Sequence, residues 1–240
     1  MGLTDDDLIY GDYNLSHDVW VEDVIIPVAP TLNVRTISVE GKDGVYTLPA
    51  TVSPYVVLAY CRIRAESRDA AMMKRREVAA KLAAYREPVF LQHRHETLKH
   101  RAILNGETTP SWEINDLVFT LQFLCPDGVM YGATKTSTGL SHTISGTRST
   151  PPIITVTGAS ASMNLLHVQS GKRLQLDGFA GTTQDIVIDC GKRTIKTADG
   201  LLNLREYLTL ESRFFELVPG QNNLTINAGT ISVEYTERWA

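Results

Sequence analysis

The fold is decided by residues 66–86, which read ESRDAAMMKRREVAAKLAAYR and differ in composition from the rest of the chain. They are rich in Ala, Leu, Met, Lys, Arg and Glu, the residues that lose least on entering a helix. Ser67 is placed to cap the first turn. Pro88 ends the helix, because the residue before a proline avoids the helical region. We predict that this is the one long helix in the chain.

One face of the predicted helix is apolar and the other is charged. The apolar residues that recur at helical spacing are Ala71, Met72, Val78, Ala79, Leu82 and Tyr85. Lys74, Glu77 and Lys81 lie on the opposite side, spaced for modest ion-pair support. Because the remaining chain has strand patterns, we predict that a sheet covers the apolar stripe and that replacing Lys81 by Asp costs little for folding.

Composition excludes several classes of protein. The chain has 240 residues, a formal charge of −4 and a pI near 5.9, which is not the basic signature of a nucleic-acid-binding protein. Cys61, Cys125 and Cys190 are odd in number and far apart, so we expect reduced thiols and synthesis in a cytoplasm. A signal segment and an apolar run of membrane-spanning length are both missing from the sequence, so we expect no membrane partner.

Strand patterns lie on both sides of the helix. Residues 19–28 are β-rich, and residues 34–39 alternate before the turn signal at residues 41–44. Residues 56–63 form an apolar run that leads into the helix as a core strand. Residues 116–124 alternate between apolar and polar side chains, which predicts a half-buried strand.

Asn105 and Gly106 form the strongest two-residue hairpin signal of the chain. We therefore predict a hairpin centred on them. Such a hairpin is able to extend the sheet of a neighbouring molecule, which makes Asn105 and Gly106 candidate interface residues. An ordinary hairpin within one molecule is the alternative.

Composition changes between residues 132 and 152, where Thr, Ser and Gly dominate. This predicts a linker or strand-poor crossing, with one domain at residues 1–135 and a second at residues 136–240. In the second domain eight short strand patterns, one of them at residues 214–217, are separated by Gly-containing turn signals. Many short strands with regular turns predict a β-sandwich.

The stretch at residues 201–210 is long and apolar for a connection in a sandwich. It serves either as core cover or as a contact surface, so Leu201, Leu202 and Tyr207 are candidate interface residues. Phe179 and Tyr207 are the aromatic residues that we expect to be exposed, as a sugar-stacking site would require, although the pattern is not specific for sugar.

The sequence predicts no catalytic, cofactor-binding or metal site. His93 and His95 share a strand face but lack a third metal ligand in register. The acidic residues 5–7 have the pattern of a mobile terminus rather than of an ion site. Ser, His and Asp are present, but no nucleophile motif holds them together.

Four stretches in order carry a family resemblance. Residues 37–44 precede the helix, residues 121–132 follow the predicted hairpin, and residues 215–226 read FELVPGQNNLTI before the ending at residues 230–239. This order resembles the distal tail protein (Dit) family of siphophages that infect Gram-positive bacteria. The most specific piece is the LVPGQN stretch together with the Tyr-x-x-Arg-Trp ending.

The resemblance implies a mainly β chain with two domains. The first is a β-sandwich "belt" domain with one α-helix and a long hairpin, and the second is a galectin-like β-sandwich. The resemblance also implies a hexameric ring of six copies at the virion tail tip, which joins the tail tube to the host-attachment apparatus. The implied partners are the major tail protein, the tape measure protein, the tail-associated hub protein and receptor-binding proteins. DNA would pass the ring lumen without specific binding.

A carbohydrate-binding module of a glycan-targeting protein is the alternative. It accounts for a second domain built as a sandwich, because aromatic faces on such a scaffold stack on sugar rings. It leaves the first domain, with its helix, without a role.

Overall fold

The computed structural model describes residues 7–29, 32–93, 96–107, 109–159, 162–179 and 184–240. The chain divides into two compact units, Met1–Tyr131 and Gly132–Trp239. Both units are built mainly of β-strands, so the predicted fold class is confirmed.

The first unit contains twelve described strands and the one α-helix found in the described ranges. They are β1 (Leu8–Tyr10), β2 (Tyr13–Asn14), β3 (Trp20–Ile25), β4 (Leu32–Asn33), β5 (Thr36–Ile37), β6 (Tyr46–Thr47), β7 (Thr51–Val52), β8 (Tyr55–Ile63), α1 (Arg68–Ala83), β9 (Val89–His93), β10 (Lys99–Glu107), β11 (Ser111–Glu113) and β12 (Asp116–Cys125).

The core of the first unit is a sheet in the order β10, β12, β8, β3. Strands β8 and β12 pair antiparallel along their whole length, from Leu117 opposite Ile63 to Cys125 opposite Tyr55. Because side chains alternate along a strand, every second residue of β12 from Leu117 to Phe123 faces inward and is buried. Strand β10 also pairs with β9, and β9 pairs with β1, which encloses the other side of the core.

Helix α1 packs on this sheet as its sequence predicts. The Ser67 side chain accepts a hydrogen bond of 3.2 Å from the backbone N–H of Ala70, which caps the first turn. Ala71, Val78 and Leu82 are buried against the sheet, whereas Ala79 is exposed. The buried stripe is therefore narrower than the sequence pattern predicts.

Ion pairs with Asp18, which lies between β2 and β3, hold the charged face of α1 against the N-terminal part of the unit. Lys74 Nζ lies 2.5 Å from Asp18 Oδ1, and Lys81 Nζ contacts Asp18 Oδ2, which also accepts a 2.7 Å hydrogen bond from the Tyr13 hydroxyl. Lys81 is thus part of an ion pair that the helical pattern does not predict, and the small folding cost of replacing it by Asp stays a prediction. Helical spacing shows which face a residue occupies, but not that a distant carboxylate covers that face.

The predicted hairpin turn at Asn105 and Gly106 is also wrong. Both residues lie within β10, where the pairing with β12 shifts between Leu104 and Gly106 as a β-bulge. The two-residue turn lies instead at Ile114 and Asn115, between β11 and β12. Pairing along the whole of β12 takes precedence over the local Asn-Gly preference.

Strand β13 (Met130–Thr138) passes from the first unit into the second. The other strands of the second unit are β14 (Ser141–Ile144), β15 (Ile153–Thr157), β16 (Ser162–His167), β17 (Lys172–Asp177), β18 (Ile186–Asp189), β19 (Thr194–Thr197), β20 (Gly220–Ile226) and β21 (Thr230–Trp239). Strands β13 and β14 occupy most of residues 132–152, where the sequence predicts a linker. That expectation is wrong because Thr, the commonest residue there, is β-branched and favours strands.

The second unit is a β-sandwich, as predicted. One sheet has the order β19, β18, β15, β21, β13, and the other has the order β14, β20, β16, β17. Apolar side chains of both sheets form one buried cluster that includes Ile154, Val233, Leu165 and Leu224. The strand predicted at residues 214–217 is absent; only Leu217 makes a β-bridge there, to Thr150.

All three cysteines are buried with free thiols. Burial raises the pKa of Cys61 and of Cys190 to about 12, and that of Cys125 to about 11. A thiol with a raised pKa is rarely in the reactive thiolate form. The cysteines therefore act as small core residues.

Replacing Leu82 by Asp should unfold the first unit, because it buries an unpaired carboxylate under the helix. The matched control is Ala80→Asp, at an exposed position on the same helix, which should change the free energy of unfolding by less than about 1 kcal/mol. Chemical denaturation of both variants measures the difference. Equal stability of the two variants would show that the buried stripe is wrongly assigned.

Replacing Asp18 by Asn should cost roughly 1–2 kcal/mol at neutral pH, since the carboxylate receives charge-assisted hydrogen bonds. Bonds from Lys74 and then Lys81 hold the pKa of Asp18 well below its usual range. The stabilisation is therefore complete above the unfolded pKa of about 4 and declines as pH falls below it. Melting curves of both proteins should differ at neutral pH and converge in acid; a difference independent of pH would contradict this role.

Candidate functional site

The most prominent surface feature of the first unit is a two-stranded ribbon at residues 32–52, called the arm below. Strand β4 pairs with β7 at its base, and β5 pairs with β6 nearer the tip. In the described chain these four strands pair only with each other. Residues 32–51 are all exposed, so water surrounds both faces of the arm.

The arm carries an unusual amount of apolar surface. Seven large hydrophobic side chains are 42–54% exposed: Leu32, Val34, Ile37, Val39, Val45, Tyr46 and Leu48. Ile37 and Tyr46 are cross-strand partners and share one face, while Val45 points to the other face. An isolated two-stranded ribbon is marginally stable in water, and exposed apolar patches mark contact surfaces. The arm therefore has the properties of an assembly element.

The base of the arm is held in place by a close backbone contact. Gly128, in the turn after β12, has a φ of +66°, and a Cβ added there would lie 2.6 Å from Val52 Cγ1 and 2.8 Å from the Ser53 carbonyl oxygen. Only glycine fits both this conformation and this space. The turn at residues 125–128 thus fixes where the arm leaves the sheet.

A groove of about 180 Å³ lies between α1 and strands β8 and β12. Its apolar lining consists of Ile63, Met72, Val78, Ala79, Leu82, Phe119 and Leu121. Arg75 and Arg76 also line it, so the groove combines an apolar floor with positive charge.

In the second unit, residues 198–211 form a loop that covers one edge of each sheet. The Leu204 N–H donates a 2.8 Å hydrogen bond to the Ile195 carbonyl on β19, and the Thr209 N–H donates one of 3.0 Å to the Gln175 carbonyl on β17. Leu204 is buried, but Leu201, Leu202 and Leu210 are exposed. The loop is therefore a core cover on one side, and its outer side presents apolar surface.

The other candidate interface residues lie on different surfaces. Asn105 and Gly106 are exposed on β10 of the first unit, and Tyr207 is half-buried in the second unit. The centroid of the Tyr207 ring lies 6.3 Å from that of the Phe179 ring, and Phe179 is 2% exposed. The prediction that Phe179 is exposed is wrong, because its ring belongs to the sandwich core.

The LVPGQN stretch has a structural role. The Asn222 side chain is fully buried: its Oδ1 accepts from the Val218 N–H at 2.8 Å, and its Nδ2 donates to the Val218 and Gly220 carbonyls. One side chain thus closes the turn around Pro219 and Gly220. The motif is a fold determinant rather than a ligand site.

His167 completes this arrangement. Its Nε2 lies 3.0 Å from Asn222 Oδ1. Its ring stacks on the Phe215 ring, with 4.9 Å between the two ring centroids. Because the amide nitrogen of Asn222 already donates twice, Nε2 must carry the proton that Oδ1 accepts. Burial lowers the pKa of His167, which favours this neutral tautomer.

The described residues contain no group of three or more His, Cys, Asp or Glu side chains able to hold a metal ion. His93 lies at the end of β9, whereas His95 and Asp5 and Asp6 fall outside the described residues. None of the described helices is long and apolar enough to cross a membrane.

Residues 145–239 match the family model of the siphovirus-type tail component, C-terminal domain. These residues make up most of the second unit. The matched residues include the Asn222 turn and the loop that covers the sheet edges. The resemblance to distal tail proteins is thereby confirmed in sequence for this part of the chain.

Comparison with solved structures extends the likeness to the fold of nearly the whole chain. The Dit protein of phage SPP1 matches with a TM-score of 0.88 and 15% identity over 98% of this chain and 99% of that chain. Chains of the phage P2 baseplate in its activated conformation match with TM-scores of 0.54 with Ca and 0.52 with Sr, each at 10% identity over 94% of this chain and 92% of that chain. No curated protein matches in sequence.

Sequence reasoning missed the arm as a functional element. Its signal was present: alternating apolar residues at 34–39, and a second apolar stretch at 45–48 beyond a Gly-rich turn. The same alternation describes a strand half-buried in its own sheet, so the pattern alone does not show that the ribbon is exposed.

Replacing Asn222 by Ala should destabilise the second unit by about 3 kcal/mol, because two carbonyls and one N–H of a buried turn lose their partner. Gln221→Ala is the matched control at an exposed neighbouring position and should change stability by less than about 0.5 kcal/mol. Differential scanning calorimetry measures both. A variant N222A as stable as Q221A would remove the structural explanation of the motif.

Proposed function

We propose that this tail component forms a closed hexameric ring at the tail tip and joins the tail tube to the host-attachment apparatus. The family model of residues 145–239 supports the tail assignment. The SPP1 Dit protein, whose fold the chain shares, is described as a paradigm of the hub adsorption apparatus in phages that infect Gram-positive bacteria. The ring, its six copies and its place at the tip are our proposal for this chain.

The arm is the observation that carries the proposal. A ring of identical subunits uses heterologous contacts, in which one surface of a subunit meets a different surface of the next. The arm protrudes from the first unit, and its large apolar side chains are exposed. In the described chain its strands pair only with each other, so no other strand covers these side chains. Burying it on a neighbour removes the apolar area from water, at roughly 25 cal/mol per Å².

The two units would divide the work. Residues 1–135 would close the ring through the arm, and residues 136–240 would act as a docking platform. The exposed leucines of the loop at residues 198–211 suit such a platform. The major tail protein and tape measure protein would meet the ring on the tube side. The hub and receptor-binding proteins would meet it on the host side, and DNA would pass the lumen without specific contacts.

The proposed activity is structural rather than enzymatic. The carbohydrate-binding alternative has less support, because Phe179, Phe215 and Tyr235 are buried and Tyr207 is half-buried against the core. A sugar-stacking surface needs an aromatic face in contact with water.

The mass of the intact chain in solution tests the ring. We expect six times the monomer mass by light scattering at high protein concentration. The triple variant V34S/I37S/V45S should have the mass of a monomer and an unchanged melting temperature, since these side chains are exposed within one chain. An intact chain that has monomeric mass at every concentration would contradict the proposal.

The matched control is L201S/L202S/L210S, which removes three exposed leucines from the second unit. This variant should keep the ring mass, because its leucines belong to the platform. If it dissociates while the arm variant assembles, the division of work between the units is reversed.

A further inference from the structure

We infer that the groove between α1 and strands β8 and β12 receives the arm tip of the neighbouring copy. This inference rests on the proposed ring and adds the surface that closes it. The occupant is a second copy of this chain. The part of it that makes the contact is the turn at residues 39–45, which begins at Val39 and ends at Val45.

The positions of arm and groove on β8 give the contact its direction. The arm joins the sheet next to Tyr55, the first residue of β8, and the groove is lined by Ile63, the last residue of that strand. At about 3.3 Å per residue, these two ends lie roughly 26 Å apart. A protrusion and a recess at opposite ends of one strand are different surfaces, so a contact between them can repeat from copy to copy around a ring.

The groove fits apolar side chains of this size. Its volume is about 180 Å³, and a dry apolar cavity of roughly 150 Å³ holds a benzene ring. Val39 and Val45 flank the arm tip and are each about half exposed. In the groove lining, half-buried Met72 and exposed Ala79 offer them accessible apolar atoms above the buried Phe119 and Leu121.

The charges of the two surfaces are complementary. Glu40 and Asp43 sit at the arm tip and are exposed, and no ion pair to either is found in the described chain. Lys42, between them, is engaged 3.4 Å above the Tyr46 ring. Arg75 and Arg76 are the charged residues that line the groove. The carboxylates would thus meet the exposed Arg76 guanidinium, which fixes the register of the apolar contact.

Cysteine cross-linking between two copies tests the contact directly. The intact chain carrying Val39→Cys is mixed with a mass-tagged chain carrying Ala79→Cys, whose position lines the groove. The three native cysteines are buried, so mild oxidation acts on the introduced pair. We expect a disulfide-linked heterodimer within the ring. Ala80→Cys, exposed on the same helix but not among the groove-lining residues, is the control and should give none.

Charge exchange provides an independent readout. E40R and R76E should each weaken ring formation, and the combined variant E40R/R76E should restore it, because the pair is re-formed with opposite signs. Both residues are exposed, so each variant is expected to keep the melting temperature of the monomer.

The outcomes separate this inference from the ring itself. A ring that forms without the V39C–A79C link, or that links A80C equally well, overturns the groove as the receiving surface and leaves the ring standing. Absence of any ring from the intact chain overturns the proposed function first, and this inference with it.

Discussion

The structure of the first unit depends on one constraint: a two-stranded ribbon cannot bury its own apolar side chains. Every other strand of this unit gains a neighbour on at least one face, from the helix or from the opposing sheet. The arm does not, and seven large hydrophobic residues stay about half exposed. In a monomer such an exposed apolar surface favours aggregation. In an assembly a neighbouring subunit can cover it and remove it from water.

The part of the first unit from which the arm projects is held by several contacts. Helix α1 packs on the sheet through Ala71, Val78 and Leu82, and Asp18 ties its charged face to the preceding segment. The turn after β12 then fixes the arm root through Gly128, where no larger residue fits. In the proposed ring, an ordered base lowers the entropy lost on association, since only the arm itself remains to be fixed.

The second unit manages apolar surface in the opposite way. The loop at residues 198–211 covers one edge strand of each sheet with backbone hydrogen bonds, and Asn222 closes the turn before β20. Sealed edges prevent uncontrolled strand pairing, so this unit is suited to contacts made by side chains on its faces and loops. The exposed leucines of the covering loop are the residues available for such contacts.

The sequence alone determined the local features. It predicted α1 and its Ser67 cap, the core strands β8 and β12, the mainly β class and the sandwich of the second unit, because each rests on propensity or periodicity within a short window. Tertiary structure decided the rest. Pairing with β12 places Asn105 and Gly106 in a bulge rather than a turn, and Lys81 pairs with Asp18, 63 residues away in sequence. The sequence likewise does not predict that the arm is exposed. Alternation shows that a strand has an apolar face, but the pattern is the same whether that face is covered by the strand's own domain or is left uncovered.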